Sequence, residues 1–242
     1  MPTTTRKVAK LTPSFDLIGE SWRIYRQGFF GFIGMYLWGL AGLIPLAAVA
    51  ILAAVLYAWT GWKDASFYVL FGVLGLAGLA WAIYYSVRAK IGWLILIRDG
   101  FKDVKGSFMK AKDYFWRYFW ASLVVGLIVF ALVFFLLVPA IIAGIYYAFA
   151  LIVIIFEEKR TFSSIERSYD LVKGYWWPVF GRFLLVALIA LLVSFFLNLP
   201  EPYITGWVHS AYVALINVFW ALAGPFFLVY SYRLYNDVKE MR

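Results

Sequence analysis

The sequence predicts an all-α fold, a polytopic membrane helix bundle of about six spans, and three observations predict it. Of 242 residues, 64% are hydrophobic and 14% charged. Soluble domains hold about 45–50% apolar and about 25% charged residues. Several runs exceed the roughly 18 uncharged apolar residues that suggest a membrane-spanning helix. The basic residues gather in the segments on one side of the runs: residues 1–28, 88–117, 157–182 and 233–242 hold 5, 8, 5 and 3 Lys or Arg.

The spans are read at about 29–58, 66–87, 118–138, 139–156, 177–198 and 208–232. Backbone groups in hydrocarbon have no water to bond, so each run is expected to be helical. Pro45 should kink the first span and Gly224-Pro225 the sixth. The second should continue as a helix past Arg88 and Lys90 through IGWLILIRDG, in or just under the headgroups. Spans three and four meet at Val138-Pro139 without a polar loop, which predicts a tight hairpin. Gly72, Gly75 and Gly78 in span two, and Gly31 and Gly34 in span one, are read as sites of close helix approach.

Of the 22 Lys and Arg, only Lys63 lies on the far side, in TGWKDAS; Asp64 and Glu201 are the acidic residues there. Cytoplasmic loops collect Lys and Arg, so both termini are expected in the cytoplasm. The net charge of +9 then reads first as topology, with attraction to anionic lipid as its second reading. No cleavable signal peptide is expected, because about 27 polar and charged residues precede the first apolar run. The absence of cysteine excludes disulfides and thiolate chemistry.

One border pattern occurs three times. SWRIYRQGFF at 21–30, AKDYFWRYFW at 111–120 and SYDLVKGYWW at 168–177 each set a small residue nine positions before an aromatic pair and a two-span hairpin. The hairpin ends also match, YYSVR at 84–88 with VYSYR at 229–233. The chain therefore reads as a single membrane domain, 1–242, of three repeat-like units, 14–98, 104–160 and 161–236. Each unit would be an interfacial amphipathic helix on the cytoplasmic side, a span, a turn and a span. Phe15, Ile18, Trp22 and Tyr25 recur at helical spacing away from Glu20, Arg23 and Arg26, and Ile165, Tyr169 and Val172 repeat this against Arg167, Asp170 and Lys173. Such helices lie in the interface plane with apolar faces at the acyl boundary. In the third copy, Gly174 would end that helix, Trp176 and Trp177 would fix its depth, and Pro178 would start the next.

The run from Val138 to Phe180 carries Pro139 with a small-residue helix, Glu157-Glu158, Ser164, Ser168, Leu171-Val172-Lys173-Gly174 and Trp176-Trp177. With SFDLIGESWRIYRQGFF and YSYRLYNDVKE it resembles a poorly characterised prokaryotic polytopic membrane family related to the membrane domain of glycerophosphoryl diester phosphodiesterases. The resemblance covers most of the chain. It implies an inner-membrane protein of about six spans without an established activity. The phosphodiesterase label belongs to a separate soluble catalytic domain, for which these residues leave no room, so that activity is not carried over.

Catalysis needs titratable groups held together, and the cores of the six spans are read as holding none. His209, the sole histidine, cannot alone build a typical metal site and reads as an interfacial hydrogen-bonding group. Asn217 reads as a hydrogen bond to a neighbouring helix. Glu157 and Glu158 are expected to pair with Lys159, Arg160 or Arg88, with a headgroup or ion site as the alternative. No enzyme, metal or cofactor is expected. The leading reading is a non-enzymatic protein that organises lipids or partner proteins through Trp22, Arg23, Arg26, Lys110, Lys112, Arg167, Lys173, Trp176 and Trp177. Its partners would be membrane lipids, anionic ones included, and other proteins or further copies of the chain, with no nucleic acid. The alternatives are a transporter or channel for an apolar or lipid-like solute, and a headgroup-level enzyme using Glu157 and Glu158.

Overall fold

The computed structural model describes residues 11–242. All regular structure among them is helical: α1 Ser14–Ala41, α2 Ile44–Thr60, α3 Ala65–Arg98, α4 Val104–Phe135, α5 Leu137–Tyr146, α6 Ala150–Phe156, α7 Thr161–Val172, α8 Trp176–Asn198 and α9 Gly206–Glu240, with a 3₁₀ turn at Glu201–Tyr203. Six helical stretches, with α1–α2 and α5–α6 each counted as one, are long and apolar enough to cross a membrane. Most of their large apolar side chains are exposed, as expected of surfaces that face lipid tails instead of water. The chain is thus a multi-pass membrane helix bundle.

Two compact units make up the described chain, one of residues 28–119 and one of residues up to Gln27 with 120–242. In the first, Met35, Ala89 and Phe108 form a buried cluster with Tyr85, Trp93 and Val104 against it. In the second, the buried set includes Phe149, Ile152, Val153, Ile154, Ile155, Ser168, Leu171, Tyr230 and Tyr235. The buried residues concentrate at the charged ends of the helices. α3 has 34 residues and is therefore about 51 Å long, well beyond the roughly 30 Å hydrocarbon core. Its last turns hold Arg88, Ala89, Ile91, Gly92 and residues 94–97, all buried. The continuation past Arg88 is helical as expected, but it is packed in protein and does not lie free among headgroups.

The breaks follow local chemistry in part. α1 stops just before Pro45, which lies at the start of α2. α9 instead runs through Pro225, whose missing N–H leaves the Ala221 carbonyl without its helical donor, and the Tyr25 hydroxyl donates to the next carbonyl, that of Leu222, at 2.9 Å. The break between spans three and four falls at Leu136 (φ −162°, ψ 131°), with Pro139 inside the first turn of α5, not at Val138-Pro139. α7 ends before Gly174, whose φ of +91° favours glycine. α8 then starts at Trp176, two residues ahead of Pro178.

The first two border segments differ from the third. Residues 14–28 and 104–117 continue without a hinge into the apolar parts of α1 and α4, so only α7 is a separate border helix. Gly28 has no hinge role, since a Cβ there would collide with the Phe101 ring. Gly31, Gly34 and Gly78 face close neighbours, Leu96, Val104 and Leu46, whereas Gly72 and Gly75 face open space.

Span four is also interrupted, between Tyr146 and Ala150, where the sequence reads as one apolar helix. The cause is tertiary. The buried Ser168 hydroxyl donates to the Tyr146 carbonyl at 2.8 Å and accepts from the Phe149 N–H at 3.1 Å, so the bonds lost at the break are replaced by α7.

Candidate functional site at the charged border

The three border patterns share a burial pattern. Residues 21–30 and 111–120 have the same order of buried, half-buried and exposed positions throughout, and residues 168–177 match at eight of the ten. The buried face centres on the small residue, Ser21, Ala111 or Ser168, flanked by Leu17 and Tyr25, by Ser107 and Phe115, and by Ser164 and Val172. Phe15 and Trp22 point outward at 75% and 51% exposure, in keeping with a face turned to the acyl boundary, whereas Tyr25 of the same expected face is buried. Hydrophobicity here marks the lipid side, and small residues mark the protein side.

Directly before each small residue stands one member of an ion pair with another helix end. Glu20 pairs with Arg233, Lys110 with Asp99 at 2.9 Å, and Arg167 with Glu157 at 3.1 Å. Around Asp99, burial pushes the carboxyl up, but Lys110 and Arg98 outweigh it and hold the group below the usual carboxylate range. Glu157 is the most enclosed of the six, its side chain 13% exposed. It accepts from the Tyr235 hydroxyl at 2.7 Å and from Arg167 Nε at 3.1 Å, with Lys239 Nζ at 3.3 Å. Burial would raise this carboxyl, yet Tyr235, Arg167 and Lys239 keep it lowered. The partners are therefore Tyr235, Arg167 and Lys239, not the expected Lys159, Arg160 or Arg88. Adjacent cations lose to residues that helix packing delivers from farther along the chain. Glu158 is exposed, with a φ of +54°.

Two groups of candidates emerge from the nine border residues. Arg23, Arg26 and Lys112 are exposed, with no ion pair or hydrogen bond among the described residues. Trp22, Arg23, Arg26 and Gln27 line an open groove of about 400 Å³. Trp177 is 73% exposed, its ring edge-to-face with Trp176. The other candidates are structurally engaged. Arg167 and Lys110 are in ion pairs, Lys173 lies 5.9 Å from the Tyr169 ring, and the Trp176 indole donates to the Ile142 carbonyl at 3.3 Å and stacks on Phe180.

Arg88 is the residue whose environment the sequence did not reveal. It is 8% exposed, and its Nη2 donates to the Phe108 carbonyl at 2.8 Å. The guanidinium carbon lies 4.2 Å from the centre of the Phe108 ring, 5.3 Å from Tyr84 and 5.8 Å from Tyr85. Its Nε is sealed and unbonded, and no carboxylate faces it among the described residues. Arg182, assigned to the border by charge, lies inside α8 and donates to the Pro178 and Thr12 carbonyls.

Of the remaining polar candidates, His209 Nε2 lies 3.4 Å from Glu201, its nearest acid in the sequence. Asn217 is exposed, with no partner among the described residues, so its side chain does not make the expected bond to a neighbouring helix of the chain. Among the described residues no group of three or more His, Asp or Glu could hold a metal ion.

Fold and border together define a multi-pass membrane protein with a cationic, aromatic edge. Comparison with family models, curated proteins and solved structures finds no significant match.

Proposed function

We propose that this is a non-enzymatic, multi-pass protein of a prokaryotic cytoplasmic membrane, both termini inside, that binds anionic phospholipid at its charged border and so organises lipid and neighbouring proteins there. The observation that carries the reading is the Trp22–Arg23–Arg26–Gln27 groove, where two exposed arginines have no acidic partner among the described residues. Each basic residue near an anionic surface contributes about 1 kcal/mol of attraction, and Trp22 supplies the amphipathic ring that favours headgroup depth. Glu157, held by three donors, suits a structural strut better than a general base, which weighs against the enzyme alternative. Transport has one supporting observation, a groove of about 540 Å³ lined by Leu191, Ser194, Phe195, Asn198, Leu199, Pro202 and Tyr203. It lies at the opposite end of α8 from the cations, which makes this the weaker reading.

The test is competition between phosphatidylglycerol and phosphatidylcholine for the purified full chain. Substituting Arg23→Gln, Arg26→Gln and Lys112→Gln together should lower the preference for phosphatidylglycerol about tenfold or more. An unchanged preference would sink the reading. Orientation is checked in this cysteine-free chain by labelling: Ser66→Cys should react from outside and Lys105→Cys from inside.

A further inference from the structure

Arg88 and Arg233 end the matching segments YYSVR and VYSYR. Both reach the border segment of another helix, and each has its Nε sealed without a partner. Arg233 meets a carboxylate there, that of Glu20, directly before Ser21. Arg88 meets a carbonyl, that of Phe108. The residue directly before Ala111, which corresponds to Glu20, is Lys110, and it is already paired with Asp99. One arginine is thus neutralised inside the chain and its counterpart is not.

A guanidinium withdrawn from water needs an opposite charge or a full set of acceptors. Aromatic faces supply part of this through cation–π attraction, and one carbonyl satisfies Nη2. Nε is sealed and unbonded, and Nη1 is likewise without a hydrogen bond among the described residues. The hydroxyls of Tyr84 and Tyr85 are also without hydrogen bonds among the described residues. The depth suits a phosphate: 23 residues of α3 precede Arg88, about 34 Å of helix, close to the roughly 30 Å of the hydrocarbon core. The surrounding stretch, residues 88–117, holds eight basic and three acidic residues, a field that draws anions.

We infer that Arg88, in its cage of Tyr84, Tyr85 and Phe108, is a phosphate-binding site whose missing counter-charge is supplied from outside the chain. The site deepens the lipid reading above and rests on it for the carrier, a phospholipid headgroup. Free inorganic phosphate shares the chemistry and is separated by the test. Guanidinium suits this ligand because its planar donors bond phosphate oxygens with directional, charge-assisted bonds.

The test titrates the detergent-purified full chain with phosphatidylglycerol in mixed micelles, with inorganic phosphate as competitor. Arg88→Gln should weaken binding about tenfold. Because that change also removes the Phe108 bond, the second variant is Tyr84→Phe/Tyr85→Phe, which leaves Arg88, its charge and its Phe108 bond in place and removes the two unbonded hydroxyls beside it. It too should weaken binding about tenfold. In the opposite sense, Glu20→Gln should add a second bound phosphate at Arg233. Competition by inorganic phosphate identifies a free anion as the ligand, and its absence identifies the headgroup; either outcome upholds the site. Parent-like binding by both Arg88→Gln and Tyr84→Phe/Tyr85→Phe overturns it. If Arg23→Gln/Arg26→Gln still loses binding in that case, the broader lipid reading survives without Arg88, and if no variant matters both fall.

Discussion

Two arginines in pentapeptides that agree at three of five positions lead different electrostatic lives. Arg233 sits against the Glu20 carboxylate, while Arg88 rests on an aromatic face and one carbonyl. The segments share Tyr, Ser and the final Arg, and the difference lies in what each arginine meets on the neighbouring helix, the Glu20 carboxylate for one and the Phe108 carbonyl for the other. A charge in a membrane protein is therefore understood from its opposite surface. The same positive residue serves as an internal strut in one place and as a docking point in another.

The three border ion pairs and two of the buried serines, Ser168 and Ser21, give graded ways to break this comparison. The largest effect is expected at the most enclosed pair. Glu157→Gln leaves Arg167 and Lys239 without their acid and should cost about 3 kcal/mol in thermal or denaturant unfolding. Its pH dependence has a definite sign. The folded carboxyl is held below its ordinary value, so its contribution is full above the unfolded value near about 4.3 and is lost as pH falls through the lower folded one. The parent should lose this increment in acid, and Glu157→Gln should lack that component of the titration. Next, Ser168→Ala removes both bonds across the break in span four and should cost about 2 kcal/mol. Ser21→Ala deletes only a bond to Leu17 in its own helix and should be near neutral by the same assay. Third, Glu20→Gln in the partly exposed pair with Arg233 should cost about 1 kcal/mol. Smallest, Lys110→Gln should change stability by less than about 0.5 kcal/mol, since Lys110 is more than half exposed. A reversed order among the three pairs would break the link drawn between enclosure and charge compensation.

Much of the fold was legible because hydrocarbon imposes simple rules. Apolar runs gave the six spans, the hinge at Gly174 followed from the residues beside it, and the kink expected at Pro45 falls where α1 gives way to α2. What the sequence hid was tertiary in origin. The stretch around Tyr147 reads as uninterrupted helix, and the break is made possible by a hydroxyl nineteen residues past Phe149. On α1, Phe15 and Trp22 face outward as expected, but the packed row of Leu17, Ser21 and Tyr25 stays hidden in the sequence, because apolar residues in a membrane point to lipid as readily as to protein. Glu157 took partners from helices whose packing no spacing rule reveals. Arg88 was absorbed into the count of positive charges that gives topology, and nothing in YYSVR separates an arginine that marks the border from one buried there.

The most direct measurement is an experimental structure of the full chain retaining its native lipids. An oxyanion within hydrogen-bonding distance of Arg88 Nη1, flanked by Tyr84 and Tyr85, is the expected result. A carboxylate from a segment of the chain itself on that nitrogen, or acyl chain packed over it with no anion bound, would contradict the claim that the border recruits its missing charge from outside.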